Sequence, residues 1–307
     1  MSKYRIISFD GGGLRGLLSL GMMERISQKL GSDSWIEQAD IFAGTSTGGL
    51  IALGLAAGKS VEEIKSFYEM NGPSIFDRNT FLYISSIFRT FHIGYENKDL
   101  EEALGLMFGD KKLTDIEKDV LVVSFDLKEK IGKRASWAPK IFHNIKGEGQ
   151  DADLAREVGL YTSAAPTYLP SVEGYIDGGV CANNPSMCAI AQLLDTRTEN
   201  RKDVSEIYML SIGTGVEPKS IGQKNIRWGI FGWNVKILQI IMDGSVGIAD
   251  YQCKHLLSKE RYNRFQLDLD DNIGMDDASK IEEMESIANS IKGSTIEAWA
   301  DWINVRW

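Results

Sequence analysis

Cysteine, histidine and proline are all scarce in this chain. The three cysteines, Cys181, Cys188 and Cys253, show no metal-ligand spacing, which excludes a cysteine metal site. An odd, small count suits a reducing compartment. Only six prolines occur in 307 residues, and no Ser/Gly/Pro-rich linker, low-complexity run or internal repeat interrupts the chain. One compact domain over 1–307 is the simplest expectation. Basic charge is in deficit, with 34 Lys and Arg against 43 Asp and Glu and a net charge of −9. That excludes nucleic acid as the main partner and a polybasic anchor on anionic lipid. No uncharged apolar run is long enough to span a bilayer. Met1-Ser2-Lys3 runs straight into the apolar stretch Tyr4 to Phe9, with no signal peptide before it. The expected location is cytoplasmic, and a lipid substrate would have to be met peripherally, from the water side.

What is present is an alternation of strand and helix signals. Arg5 to Phe9 reads as a buried strand, and Leu14 to Leu30 as a helix closed by Gly31. Asp40 to Ala43 is a second strand. Thr47 to Ala57 is a small-residue helix stopped by Gly58, and Ser60 with Glu63 forms a capping box for a helix through Met70. Val120 to Asp126, Lys140 to His143 and Ile207 to Ile212 read as further strands. The pattern implies an α/β fold with a largely parallel sheet covered on both faces. Ligands of such sheets sit at the carboxyl ends of the strands. Asp10-Gly11, Gly44-Thr45-Ser46 and Gly213-Thr214-Gly215 each follow a strand, so one site at one sheet edge is expected.

Three of these stretches carry chemistry. Gly44-x-Ser46-x-Gly48 fits a nucleophile elbow, whose tight strand-to-helix turn needs small flanks. The following helix aims its N-terminus at Ser46 and favours developing negative charge there. Alone, the same five residues equally describe a Gly-rich turn with a capping serine. Gly11-Gly12-Gly13 lets backbone N–H groups converge on an anion, such as a tetrahedral oxyanion. It also satisfies G-x-G-x-x-G through Gly16, but a dinucleotide site wants a carboxylate about 20 residues on, at the end of the second strand. Asp33 lies before that strand, which ends in Gly44-Thr45-Ser46 instead. Asp177, followed by Gly178 and Gly179, is a carboxylate that a tight turn could hold and desolvate toward a usable base. An aspartate that only caps the turn is the competing reading. Gly54 to Ser60 is one residue short of a Walker A loop. Asp268-x-Asp270-x-Asn272 lacks the glycine and glutamate of an EF-hand.

Histidine is the usual base for a serine nucleophile, and only His92, His143 and His255 exist. Ser46, Asp177 and His255 have the chain order of an α/β-hydrolase triad. An ordinary helix surrounds His255, however, and the elbow follows only the second strand.

Taken together, these residues resemble the patatin-like phospholipase family, from Tyr4 to about Gly215. The loop Asp10-Gly11-Gly12-Gly13-Leu14-Arg15-Gly16, the elbow Gly44-Thr45-Ser46-Thr47-Gly48 and Asp177-Gly178-Gly179 occur in the family's order without departure. Thr162 to Pro170 and Ala182-Asn-Asn-Pro185 supply fitting flanks. The resemblance implies a three-layer α/β/α sandwich and a catalytic dyad of Ser46 and Asp177, with no histidine. It places the oxyanion hole at Gly11, Gly12 and Gly13, makes Arg15 a brace for that loop, and calls for no metal or cofactor. The implied activity is hydrolysis of fatty-acyl esters of phospholipid or other acyl lipid at a membrane surface. A non-catalytic lipid-binding or regulatory module on the same scaffold is the competing reading.

Residues 76–95 and 228–242 are rich in aromatic and aliphatic residues and suit either an interfacial helix or, as the favoured reading, an ordinary core helix. The part from 216 to 307 reads as a helical extension. Asp276 to Ile291 forms an amphipathic helix there, and Trp299, Trp302 and Trp307 cover the core or meet a partner.

Overall fold

The computed structural model describes residues 3–76, 95–128, 130–131, 134–218, 230–270 and 273–307. Seven strands form the main sheet: Tyr4–Phe9 (β1), Ile41–Thr45 (β2), Asp119–Asp126 (β3), Ala138–His143 (β4), Tyr175–Asp177 (β5), Ile207–Ile212 (β6) and Tyr262–Phe265 (β7). Their order is β4-β3-β2-β1-β6-β7, with β5 also paired to β3. The β3-β2-β1-β6-β7 run is parallel, while β4 and β5 lie antiparallel on β3.

Alternation along each strand builds the layers. Ile7, Phe9, Phe42, Val122 and Leu210 point to one face and Ile6, Ile41, Leu121, Val123 and Met209 to the other, all buried. The first face is covered by helices Gly16–Leu30 (α1), Thr47–Ala56 (α2), Val61–Ile75 (α3), Lys98–Phe108 (α4) and Ala155–Ser163 (α5). Ser186–Leu194 (α6) and Ile230–Arg261 (α7) cover the second through Ile190, Leu193, Cys253 and Leu257. Burial on both faces explains why the strands read as near-continuous apolar runs. Each such Phe, Ile or Leu contributes roughly 1.5–3 kcal/mol.

The local signals act as their chemistry requires. Gly31 closes α1 in the left-handed region at φ 71°. The Ser60–Glu63 box caps α3 in both directions. That helix runs past Met70 to Ile75, because Gly72 and Ile75 are buried and Pro73 falls in its last turn. The expected helix over Asp276 to Ile291 becomes a 3-10 turn, Ala278–Lys280, followed by Ile281–Asn289 (α8), with Met284 fully buried. The last helix, Gly293–Arg306 (α9), carries Trp299 and Trp302, and Trp307 follows it directly. Trp299 stacks on Phe265 at 4.9 Å, and Trp307 Nε1 donates to the Trp35 carbonyl at 2.7 Å. They seal the chain's own core.

The favoured core reading of 228–242 is corrected. Ile237, Ile240 and Ile241 on α7 are each more than 40% exposed, at 44, 43 and 44%. Trp228 and the side chain of Phe231 lie outside the described residues, as does the aromatic stretch between Phe76 and Tyr95. Among the described residues, no helix is long and apolar enough to cross a membrane.

Candidate active site

β1 pairs Phe9 with Gly44 of β2 and with Ile212 of β6. The three strands therefore end level, and their loops leave from one edge. Ser46 occupies the turn between β2 and α2 with φ 55° and ψ −127°, a backbone that costs a non-glycine residue roughly 1–3 kcal/mol. The surroundings hold it there. Ser46 N–H donates to Thr162 Oγ1 at 2.8 Å, and Thr162 Oγ1 donates to the Val123 carbonyl at 2.6 Å. Thr45 Oγ1 donates to the Ala182 carbonyl at 2.7 Å. Any side chain at Gly44 or Gly48 would break the turn. A Cβ would lie 2.0 Å from Gly48 O in the first case and 2.3 Å from Phe9 O in the second.

Asp177 reaches Ser46 through the sheet. In the register of β3, Val123 pairs with Thr45 and the next residue, Ser124, pairs with Asp177. Thus β5 occupies the lane that β2 vacates, running the opposite way, and the two strand ends meet. Asp177 N–H donates to the Ala164 carbonyl at 2.9 Å. Its Oδ1 accepts the Gly179 N–H at 2.7 Å, while Oδ2 is buried with no hydrogen bond of normal geometry. Burial pushes the carboxyl up to about 6, against the smaller opposing pull of the Ser46 hydroxyl and the Gly179 amide. Gly178 packs on β3, since a Cβ there would come within 2.3 Å of Val123 O.

The glycine loop lies against both. A Cβ on Gly11 would be 3.3 Å from Ser46 Cβ. Gly11 N–H is donated to Asn183 O at 2.9 Å, and Gly11 O accepts Thr214 Oγ1 at 3.0 Å. Gly12 and Gly13 line the cavity that holds Ser46 and Asp177. Among the described residues neither amide has an acceptor. Gly13 sits at φ 58° against the Met275 carbonyl, where a side chain has no room. Asp10 is buried and ion-paired with Arg264, whose Nη1 also donates to Ser211 Oγ at 2.7 Å. Arg15 pairs with Glu217 at 3.2 Å and lines a neighbouring cavity rather than the one holding Ser46. Gly16 lets α1 press on the elbow, with only 2.4 Å from a Cβ to Thr47 Oγ1.

The cavity takes in about 850 Å³ of free space, counting the part open to solvent. Its polar end is Ser46, Asp177, Gly12 and Gly13, and its walls are apolar, among them Leu50, Phe67, Ile75, Leu100, Leu238 and Met242.

No triad is assembled among the described residues. His255 is exposed on α7, its Nδ1 2.8 Å from the Tyr251 carbonyl and its ring 4.1 Å from that of Tyr251. His143 is buried on β4, and neither histidine lines the cavity. His92 lies outside the described residues. β2 ends without a carboxylate, as expected against a dinucleotide site. Among the described residues, no group of three or more His, Cys, Asp or Glu is arranged to hold a metal ion.

Sequence reasoning missed Arg264 and the specific work of Thr162 and Asn183. The last two lie in the flanks already noted beside the motifs. Arg264 has no local signal, since it meets Asp10 from 254 residues away.

The model of the patatin-like phospholipase family matches residues 7–190, a span that contains all three motifs. The chain belongs to the patatin-like phospholipase family. Patatin-like protein 2 of Arabidopsis thaliana is 30% identical over 337 aligned residues, covering 93% of this chain and 81% of that protein. Protein teg of Priestia megaterium is 32% identical, covering 75% of this chain and 69% of its own length. The crystal structure of VipD from Legionella pneumophila matches with a TM-score of 0.46 at 13% identity, over 100% of this chain and 67% of that one. The mostly parallel sheet with helices on both faces is this patatin-like chain's α/β fold.

Proposed function

We propose that this patatin-like protein hydrolyses fatty-acyl esters of phospholipid or a related acyl lipid, with Ser46 as nucleophile and Asp177 as base. Membership of the family supports lipid acyl hydrolysis in general. The observation that carries the dyad is the pairing of a strained, cavity-facing serine with a buried carboxylate of raised pKa and one unpartnered oxygen. Perturbed groups of this kind cluster at functional sites.

Asp177 takes the hydroxyl proton as Ser46 Oγ attacks the ester carbonyl. The amides of Gly12 and Gly13, with the N-terminus of α2, meet the oxyanion. Gly11 takes another part in this scheme, because its N–H is committed to Asn183 and fixes the loop. The protonated Asp177 then gives its proton to the departing alcohol. It next removes one from water as that attacks the acyl-enzyme, and returns it to the departing Ser46 Oγ as the fatty acid is released. No step calls for calcium or another cofactor. The apolar cavity beside Ser46 suits the acyl chain.

The exposed Ile237, Ile240 and Ile241 stand on the helix whose Leu238 and Met242 line that cavity. An apolar helix face at the site supports peripheral docking on lipid.

The test is fatty-acid release from mixed phospholipid vesicles, wild type against Ser46→Ala, read by mass spectrometry. Release that vanishes in the variant is expected. Equal release from both would remove Ser46 from the mechanism. Lipid binding without release by either protein would favour the non-catalytic module.

A further inference from the structure

Gly213-Thr214-Gly215 leaves the end of β6 at the same edge as the glycine loop and the elbow. None of these residues lines the cavity that holds Ser46 and Asp177. Thr214 is buried, at 4% exposure. Any effect of its side chain on the reaction must therefore pass through another residue.

Its contacts say which one. The Thr214 hydroxyl donates to the Gly11 carbonyl at 3.0 Å. The same side chain presses on Gly12, where an added Cβ would lie 2.7 Å from Thr214 Cβ and 2.9 Å from its Cγ2. Gly11 C=O and Gly12 N–H belong to one peptide unit, which is trans. A planar trans unit points its carbonyl and its N–H in opposite directions. Holding the Gly11 oxygen on the Thr214 side thus turns the Gly12 N–H to the other side, and Gly12 is the member of this contact that lines the cavity. A hydrogen bond to the carbonyl also polarises the unit and strengthens its N–H as a donor. Asn183 Nδ2 adds a longer bond to the same oxygen, at 3.4 Å.

The Thr214 turn is itself clamped. Gly213 N–H donates to the Phe265 carbonyl at 2.9 Å, and Ser19 Oγ donates to the Gly213 carbonyl at 2.8 Å. Gly215 N–H donates to Gln266 Oε1 at 2.8 Å. A donor locked in this way fixes the group it holds. The next peptide unit of the glycine loop is held from within, since the Gly12 carbonyl accepts the Arg15 N–H at 3.2 Å. The Gly12 amide, by contrast, takes its orientation from a distant part of the chain.

We propose that Thr214 is a positioning residue of the oxyanion hole, which holds the Gly11 carbonyl so that the Gly12 N–H is aimed at the oxyanion formed by Ser46 attack. This rests on the acyl-hydrolase reading above. An amide aimed at developing charge matters more to the transition state than to the bound ester. Loss of the hydroxyl therefore falls on turnover rather than on substrate binding.

The experiment compares wild type with Thr214→Val, Thr214→Ala and Thr214→Ser on p-nitrophenyl butyrate, a soluble ester that needs no membrane. Valine keeps the volume and loses the donor. Alanine loses the donor without setting a methyl against the Gly11 oxygen, so it repeats the test if valine disturbs the turn. Serine keeps the donor. Both donor-free variants should lose about 10–100-fold in kcat, with KM within about twofold of wild type. Inactivation by a p-nitrophenyl phosphonate, whose phosphorus centre mimics the tetrahedral state on Ser46, should slow by the same factor. Thr214→Ser should return kcat to within about threefold of wild type. The pH midpoint of kcat/KM should match wild type throughout, because Asp177 is untouched. A merely structural role would shift KM together with kcat, or leave serine as impaired as valine. Either result overturns the positioning role, as would donor-free variants within about twofold of wild type in kcat. A wild type that neither cleaves the ester nor labels at Ser46 would overturn the hydrolase reading, and this role with it.

Discussion

Replacing Asp177 with asparagine should make the protein both more stable and nearly inert. Burial raises the carboxyl from 3.8 to about 6, so the folded state holds its proton more tightly than the unfolded chain does. At pH below 4 both states are protonated and the group is neutral to stability. As pH climbs from there to about 6, the unfolded chain ionises first and folding weakens. Above 6 the full penalty applies. A shift of about two units corresponds to about 3 kcal/mol. Asparagine keeps an oxygen for the Gly179 N–H and can present its amide to the Ser46 hydroxyl, with no charge to desolvate. Urea denaturation at pH 8 should therefore find Asp177→Asn more stable by up to about 3 kcal/mol, and the gap should close by pH 4. Turnover should fall by about two to four orders of magnitude, the usual worth of a general base. In the wild type, kcat/KM should rise with pH through a midpoint near 6, the value set by burial. A variant less stable than wild type at pH 8, or a gap that ignores pH, would refute the reasoning.

Other perturbations separate the parts of the site. Thr162→Val removes the acceptor for Ser46 N–H and the donor to Val123 O. It should cost about 1–3 kcal/mol in denaturant unfolding, with kcat falling more than KM rises. Arg264→Ala leaves Asp10 buried and unpaired; calorimetry should show a loss of about 3–5 kcal/mol. His255→Ala changes an exposed helix position outside the cavity, so steady-state rates should stay within about twofold of wild type, as surface substitutions generally do. A loss comparable to that of Ser46→Ala would restore the histidine triad.

The parts of this molecule legible in the sequence are those fixed by neighbours in the chain. The β1–glycine loop–α1 unit, the Ser46 elbow and the Ser60 cap each depend on residues a few positions apart. Strands buried on both faces announce themselves as apolar runs. The placement of Asp177 was hidden for the opposite reason. Its strand spans Tyr175–Asp177, too short for a period, and its partner β3 lies far back in the chain. The same holds for Thr162 and Arg264, whose contacts span 116 and 254 residues. The outward isoleucines of α7 misled because an apolar face reads alike whether core, lipid or water lies against it.

The register on β3 has a consequence for how this architecture can change. Thr45, the neighbour of Ser46, and Asp177 sit on consecutive rungs of one interior strand, whatever path the chain takes between them. Segments connecting those rungs, including the walls that α3 and α4 contribute to the cavity, can lengthen, shorten or be rewritten while Ser46 and Asp177 keep their separation. Under the proposed dyad, substrate range and bond-breaking geometry are separable inheritances, one carried by helices and loops, the other by a single strand.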